Sequence, residues 1–180
     1  APKGAPIVAL VGAPNAGKST LFNSLTGAKA RMGNWPGTTV EVSRGAWKQS
    51  KDVTYDVIDF PGAYSLDPMS PDEELTRNLV IDAAEQDRPD LVIIAVDASS
   101  LSRSLYMVAQ LTEQENRLVV VMTKADVAAA NGEEINSEKL SEQLGIPVVP
   151  VDPRHRSNVD KIAAVVAEEL QKPKKLYRDV

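Results

Sequence analysis

The sequence has no cysteine and a single histidine, His155, in 180 residues. Without thiols there is no disulfide, thiolate zinc site, iron–sulfur cluster or cysteine nucleophile, and one imidazole cannot build a multi-histidine metal site. The absence suits a reducing compartment. Long apolar runs are also missing: Leu91 to Val96 and Leu118 to Met122 fall far short of the roughly 20 residues that span a bilayer. No secretory leader is expected, because only a short apolar stretch follows Lys3. Nor is there an excess of positive charge. Twenty basic residues against 25 acidic ones leave a net charge of −5, which repels phosphate backbones and makes extended nucleic-acid binding an unexpected activity. A local anion pocket remains compatible with that balance. What is present, 43% hydrophobic and 25% charged residues, suits one soluble globular domain, with no internal repeat or low-complexity tract.

Four short aliphatic runs, Ile7 to Val11, Leu91 to Val96, Leu118 to Met122 and Val148 to Val151, are each followed by a segment with helical spacing. Their unbroken apolarity suits strands covered on both faces, the pattern of a parallel α/β sheet. Thr39 to Trp47 and Val53 to Asp59, joined by the polar stretch Lys48 to Asp52, are predicted to pair as an antiparallel hairpin at one sheet edge. A helix is predicted to begin at Ser70, where Ser-Pro-Asp-Glu combines a capping serine, an N1 proline and a glutamate three residues after the cap. Val159, Ile162, Ala163, Val166 and Leu170 form one helical stripe for the sheet, leaving Lys161, Glu168 and Glu169 to face water. Residues 1–171 are read as one domain and 172–180 as a C-terminal linker.

Directly after the first strand comes Gly12-Ala13-Pro14-Asn15-Ala16-Gly17-Lys18-Ser19, and Thr20 continues into helical spacing. Such a loop curls backbone N–H groups around phosphate oxygens, aided by the positive end of the helix. Lys18 is expected to bridge the β- and γ-phosphates of a nucleotide, and the Ser19 hydroxyl to ligate Mg²⁺. Asp59-Phe60-Pro61-Gly62 closes a predicted strand. Its carboxylate suits a water on Mg²⁺, and the Gly62 N–H suits the γ-phosphate, since no side chain blocks approach. Thr38 and Thr39 both offer a hydroxyl that would complete the Mg²⁺ shell.

Thr123-Lys124-Ala125-Asp126 ends the strand Leu118 to Met122. Asp126 matches the N1–H and exocyclic amine of guanine, with the Lys124 stem along the ring face. Adenine offers neither donor, a mismatch that hydrogen-bonding sites reject by about 10⁴-fold or more.

These four segments, in this order, resemble the small translation-factor-type GTPases, and the resemblance implies a Ras-like P-loop GTPase fold, α/β, with a six-stranded mostly parallel sheet flanked by helices. Gly33-Asn34-Trp35-Pro36-Gly37-Thr38-Thr39-Val40-Glu41, Asp59 to Leu66 and Ser70-Pro71-Asp72-Glu73 are more specific: they are similar to the cytoplasmic G domain of the FeoB family of bacterial ferrous-iron transporters. That resemblance implies that Thr39 is the switch threonine. It also implies that GTP and GDP are the ligands, that the partner is a transmembrane iron-permease domain of the same full-length protein, and that the domain sits on the cytoplasmic face of the inner membrane. Two positions depart from the family. Thr123 stands where asparagine is usual, and Val151-Asp152-Pro153 replaces the usual Ser-Ala pair at the guanine O6, with a proline that carries no N–H.

Many GTPases orient the attacking water with a glutamine where this chain has Ala63. An arginine finger or a monovalent cation would have to stabilise the transition state instead. The Asn15 side-chain carbonyl is a hard ligand inside the phosphate loop, and the resemblance implies a K⁺ held by Asn15 with the backbone carbonyls of Gly33 and Trp35. The predicted catalytic set is therefore Asn15, Lys18, Thr39 and Gly62, with slow intrinsic turnover. A free cytosolic ribosome-assembly GTPase and a nucleotide-binding module with little turnover are the rival readings. The sequence leaves the oligomeric state open.

Overall fold

The computed structural model describes residues 5–12, 17–27, 30–34, 41–48, 53–60, 89–112, 115–124, 130, 132, 136–151 and 156–173. Within them the chain forms β1 (Ile7–Gly12), α1 (Lys18–Thr26), β2 (Ala30–Asn34), β3 (Glu41–Lys48), β4 (Thr54–Asp59) and β5 (Leu91–Asp97). A 3₁₀ turn (Ala98–Ser100) follows, then α2 (Leu101–Leu111), β6 (Leu118–Thr123), α3 (Ser137–Leu144), β7 (Val148–Pro150) and α4 (Arg156–Leu170). The helix predicted to begin at Ser70 lies outside the described residues.

One sheet orders these strands β2-β3-β4-β1-β5-β6-β7. The β1, β4, β5, β6 and β7 strands run parallel, while β3 pairs antiparallel with both β2 and β4. All four predicted parallel strands and the predicted hairpin are present, but the sheet has seven strands where six were expected. The addition is β2, which places the hairpin one position in from the edge. Its Ala-Arg-Met-Gly-Asn sequence has no apolar alternation and four of its five residues are exposed. Only the ladder to β3, from Ala30 opposite Gly45 to Asn34 opposite Glu41, makes it a strand, so no periodicity in the sequence announces it.

Period-two alternation divides the buried side chains between two layers. Ala9 and Val11 join Val92, Ile94, Met107, Val108 and Leu111 under α2. On the opposite face Val8 and Leu10 join Leu21, Phe22, Leu25, Ile162 and Val166 from α1 and α4. Every residue of β5 and of β6 is buried, and each large aliphatic side chain so covered contributes about 1.5–3 kcal/mol. Trp47 and Tyr55, directly opposed on β3 and β4, meet edge to face with ring centroids 5.2 Å apart.

The α4 stripe packs on the sheet as its spacing predicts, with one exception among the residues expected in water. Lys161 and Glu168 are exposed, but Glu169 is 3% exposed. Just past the helix end Lys172 folds back to place its Nζ 3.1 Å from Glu169 Oε1, and a buried carboxylate is tolerated when a cation pairs with it. The same turn is tied to the sheet by Arg117, whose Nε donates to the Lys172 carbonyl at 2.7 Å and whose Nη1 donates to the Asp90 carbonyl at 3.0 Å. Helical stripes say nothing about what a chain does after its last turn, and that is where the expectation for Glu169 failed.

Candidate functional site

The parallel strands β1, β4, β5 and β6 all end at one edge of the sheet, at Gly12, Asp59, Asp97 and Thr123. Chain order reverses on either side of β1, with β4 as one neighbour and β5 as the other. In open α/β sheets such a reversal leaves a crevice at the carboxyl ends of the strands, and ligands bind there.

Gly12 closes β1 with φ +155°, and a Cβ at that position would lie 2.6 Å from the Ala95 carbonyl oxygen of β5. Only glycine allows β1 and β5 to approach so closely where the loop departs. Gly17 then enters α1 in a left-handed conformation, φ 73° and ψ 21°, and makes no side-chain cap. Lys18 follows on the first turn of the helix. It is 5% exposed, and its ammonium pairs with the Asp59 carboxylate and donates to the Phe60 carbonyl at 2.5 Å. The lysine of the loop and the acid of the predicted sensor thus meet across β1 and β4. Burial pushes the Asp59 carboxyl above the ordinary carboxylate range, and the charge and hydrogen bond of Lys18 pull it part of the way back. Ser19 and Thr20 are exposed at the start of α1.

Thr123 is 1% exposed and donates its hydroxyl to the Val96 carbonyl at 3.3 Å. Its side chain lies 4.0 Å from the position a Cβ on Gly17 would take, so it packs beside the glycine that leads into α1. Lys124 has φ +59°, the only positive value at a non-glycine among the described residues. Val151 is buried beyond β7, with its N–H bonded to the Met122 carbonyl at 2.9 Å. Gly33 lies on outermost β2, with β3 and β4 between it and β1, though β2 ends at the same edge of the sheet as the loop. Ala13, Pro14, Asn15, Ala16, Trp35, Thr38, Thr39, Gly62, Asp126, Asp152 and Pro153 lie outside the described residues.

Asp97 escaped the sequence reading. It ends β5 opposite Thr123, is 6% exposed and has its Oδ2 3.5 Å from Lys124 Nζ. The available signal was an acid closing a wholly apolar strand just before Ala98-Ser99-Ser100. An open groove of about 840 Å³ is lined in part by Leu25, Trp47, Thr54 and Asp160, and none of the described predicted site residues lines it. Among the described residues no three His, Asp or Glu side chains cluster as a metal site, and no helix is long and apolar enough to cross a membrane.

A glycine-framed turn from a central strand into a helix, a buried lysine on that helix and an acid at the end of the neighbouring strand define a Ras-like P-loop G domain. Comparison with known proteins names the family. Residues 6–166 match the family model described as ferrous iron transport protein B, and the chain belongs to that family. It is 40% identical over 144 residues to the Fe(2+) transporter FeoB of Salmonella typhimurium, an alignment covering 80% of this chain and 18% of that protein. It superposes on the crystal structure of the G domain of the T. maritima FeoB iron transporter with a TM-score of 0.81 at 36% identity, covering 91% of this chain and 98% of that one. The cytosolic domain of the same transporter in a GDP form matches with a TM-score of 0.84 at 37% identity, covering 98% of this chain and 67% of that one. The chain spans less than a fifth of the length of the Salmonella relative.

Proposed function

We propose that this chain is the G domain of a ferrous-iron transporter, binding GTP, hydrolysing it to GDP and phosphate, and regulating a membrane permease in the same full-length protein. The observation that carries the reading is the meeting of Lys18 and Asp59 at the carboxyl ends of β1 and β4. A buried ammonium and a partly buried carboxylate held together at a strand-to-helix glycine turn are poised to exchange partners with a phosphate and its cation. The likeness to a transporter domain in a GDP form supports the nucleotide, and family membership argues against the free ribosome-assembly reading. Residues 1–171 then form the G domain, 172–180 lead toward the remainder of the protein, and the domain works on the cytoplasmic face of the membrane.

In this reading residues 12–20 wrap the phosphates, and the Lys18 ammonium moves from Asp59 to the β- and γ-oxygens. Ser19, Thr39 and, through water, Asp59 are the hard oxygen donors that would hold a Mg²⁺, which would offset the negative charge of the phosphates. The Gly62 N–H meets the γ-phosphate. A water attacks the γ-phosphorus in line as the bond to the β–γ bridging oxygen breaks, releasing GDP. Ala63 cannot orient that water. Asn15 and the carbonyls of Gly33 and Trp35 would hold a K⁺, whose positive charge would stabilise the negative charge developing in the transition state.

Base selectivity tests the site. Calorimetry is expected to show GDP binding and little ADP binding. Asp126→Asn is expected to weaken GDP and to favour the xanthine analogue, whose C2 carbonyl accepts from the new amide. Equal affinity for ADP and GDP in the unaltered chain would sink the guanine assignment. Thr123, at the cost of one neutral hydrogen bond, about 0.5–1.5 kcal/mol, lowers affinity without changing that preference.

Cation dependence tests the catalytic assignment. Steady-state hydrolysis is expected to be slow in Na⁺ and about tenfold or more faster in K⁺, an effect smaller than removal of a full oxyanion donor. Asn15→Ala should abolish the difference. A K⁺ response that survives the substitution removes Asn15 from the site, and absent turnover in both salts favours the low-turnover module.

A further inference from the structure

Lys124 occupies a backbone conformation that costs a side-chain-bearing residue energy, and such residues persist only where their surroundings hold them. Its φ is +59° at the point where β6 gives way to the segment carrying Asp126. Asp97 lies against its ammonium. The two aspartate oxygens have separate tasks. Oδ1 accepts from the Ser99 N–H at 2.8 Å and from the Ser99 hydroxyl at 2.5 Å, capping the 3₁₀ turn after β5. Oδ2 faces the Lys124 ammonium at 3.5 Å. The Asp97 backbone is itself anchored, its N–H donating to Ser104 Oγ of α2 at 3.3 Å. Register places Asp97 directly opposite Thr123, so the acid stands one residue from Lys124 across adjoining strand ends.

We infer that Asp97 is a positioning residue for the base pocket: it anchors the Lys124 ammonium so that the lysine stem and the left-handed turn stand ready for a guanine ring. The inference rests on the guanine reading given above. Asp97 does not touch the nucleotide. It acts through Lys124, so its loss should appear in affinity and KM rather than in kcat, whereas a general loosening of the fold would depress both.

Asp97→Asn is the informative change. The amide oxygen can keep the cap on Ser99, while its NH₂ replaces Oδ2 and presents a donor to the ammonium. GDP affinity of this chain, measured by calorimetry, should fall about five- to tenfold, within the range of coupling between residues in contact. In a Lys124→Met background, which keeps the stem and removes the charge, Asp97→Asn should have no further effect. Ser99→Ala, which loosens the carboxylate without altering it, serves if Asp97→Asn does not fold. It should weaken GDP about two- to threefold, a partial loss of the same coupling, and only when Lys124 is present.

If the unaltered chain binds GDP and Asp97→Asn stays within twofold of it, the inference is overturned. Effects of Asp97→Asn or Ser99→Ala that persist undiminished in the Lys124→Met protein overturn it equally. Failure of the unaltered chain to bind GDP overturns the guanine reading, and this inference with it.

Discussion

Gly12→Ala is expected to lower the unfolding free energy by about 2–5 kcal/mol, the sum of overpacking a rigid contact and straining a backbone. The new methyl would lie 2.6 Å from the Ala95 carbonyl oxygen and 3.0 Å from the Ala95 Cβ. Neither neighbour can swing aside: both belong to β5, in which Ala95 pairs directly with Gly12 and every residue is buried. Relief must come from parting β1 and β5, the centre of the sheet, or from shifting the turn by which the chain leaves β1. Nucleotide binding should therefore fall with stability. Gly33→Ala is the control, since nothing lies within 4 Å of a Cβ there, and surface changes of that kind stay within about 0.5 kcal/mol. Urea unfolding of the two variants decides the matter. Equal midpoints would show that β1 and β5 are not packed as described.

Lys18→Met should act more strongly on nucleotide affinity, weakening GTP by about 2–5 kcal/mol, roughly 30- to 5,000-fold, as removal of one member of a largely desolvated charged pair does. Its effect on the nucleotide-free protein has a pH dependence whose sign follows from Asp59. Burial already raises that carboxyl above its ordinary value, and Lys18 is the group that opposes the rise. Without the ammonium the carboxyl moves further up. Between the unfolded and folded values the folded chain holds a proton that the unfolded chain has released, so stability declines as pH climbs through the folded value. Lys18→Met should thus be nearly as stable as the unaltered protein in mild acid and less stable at pH 8. Breaking a fully buried pair costs about 3–5 kcal/mol, an upper bound here because proton uptake and partial solvent access relieve the charge. Denaturant titrations at several pH values check the trend. A deficit that is constant, or larger in acid, would mean that Asp59 does not titrate as its surroundings dictate.

The parts of the site legible in the sequence are those whose chemistry depends on a short local pattern. Gly12 to Ser19 combines a strand, a glycine turn and a helix start within one segment, and its described ends, Gly12, Gly17 and Lys18, sit where that pattern places them. Asp59 was readable for the same reason, as an acid closing an apolar strand ahead of a glycine. Asp97 also closes a strand but has no glycine after it, and its meaning lies in a register with Thr123 and a contact to Lys124 that no local pattern contains. The missed strand β2 and the buried Glu169 repeat the lesson. Each depends on a partner supplied by a different stretch of chain, the β3 ladder for one and the returning Lys172 for the other.

By itself the amino-acid order determined the alternation of apolar runs with helical stripes, the parallel sheet that alternation demands, and the glycine-framed turn from β1 into α1, since periodicity and backbone freedom act over a few bonds. Tertiary structure alone decided the order of the parallel strands, that Lys18 and Asp59 meet, that Thr123 packs beside Gly17 and that Asp97 lies against Lys124. Those facts are distances between residues far apart along the chain. They are set by how two buried layers close around one sheet, and no window of sequence contains them.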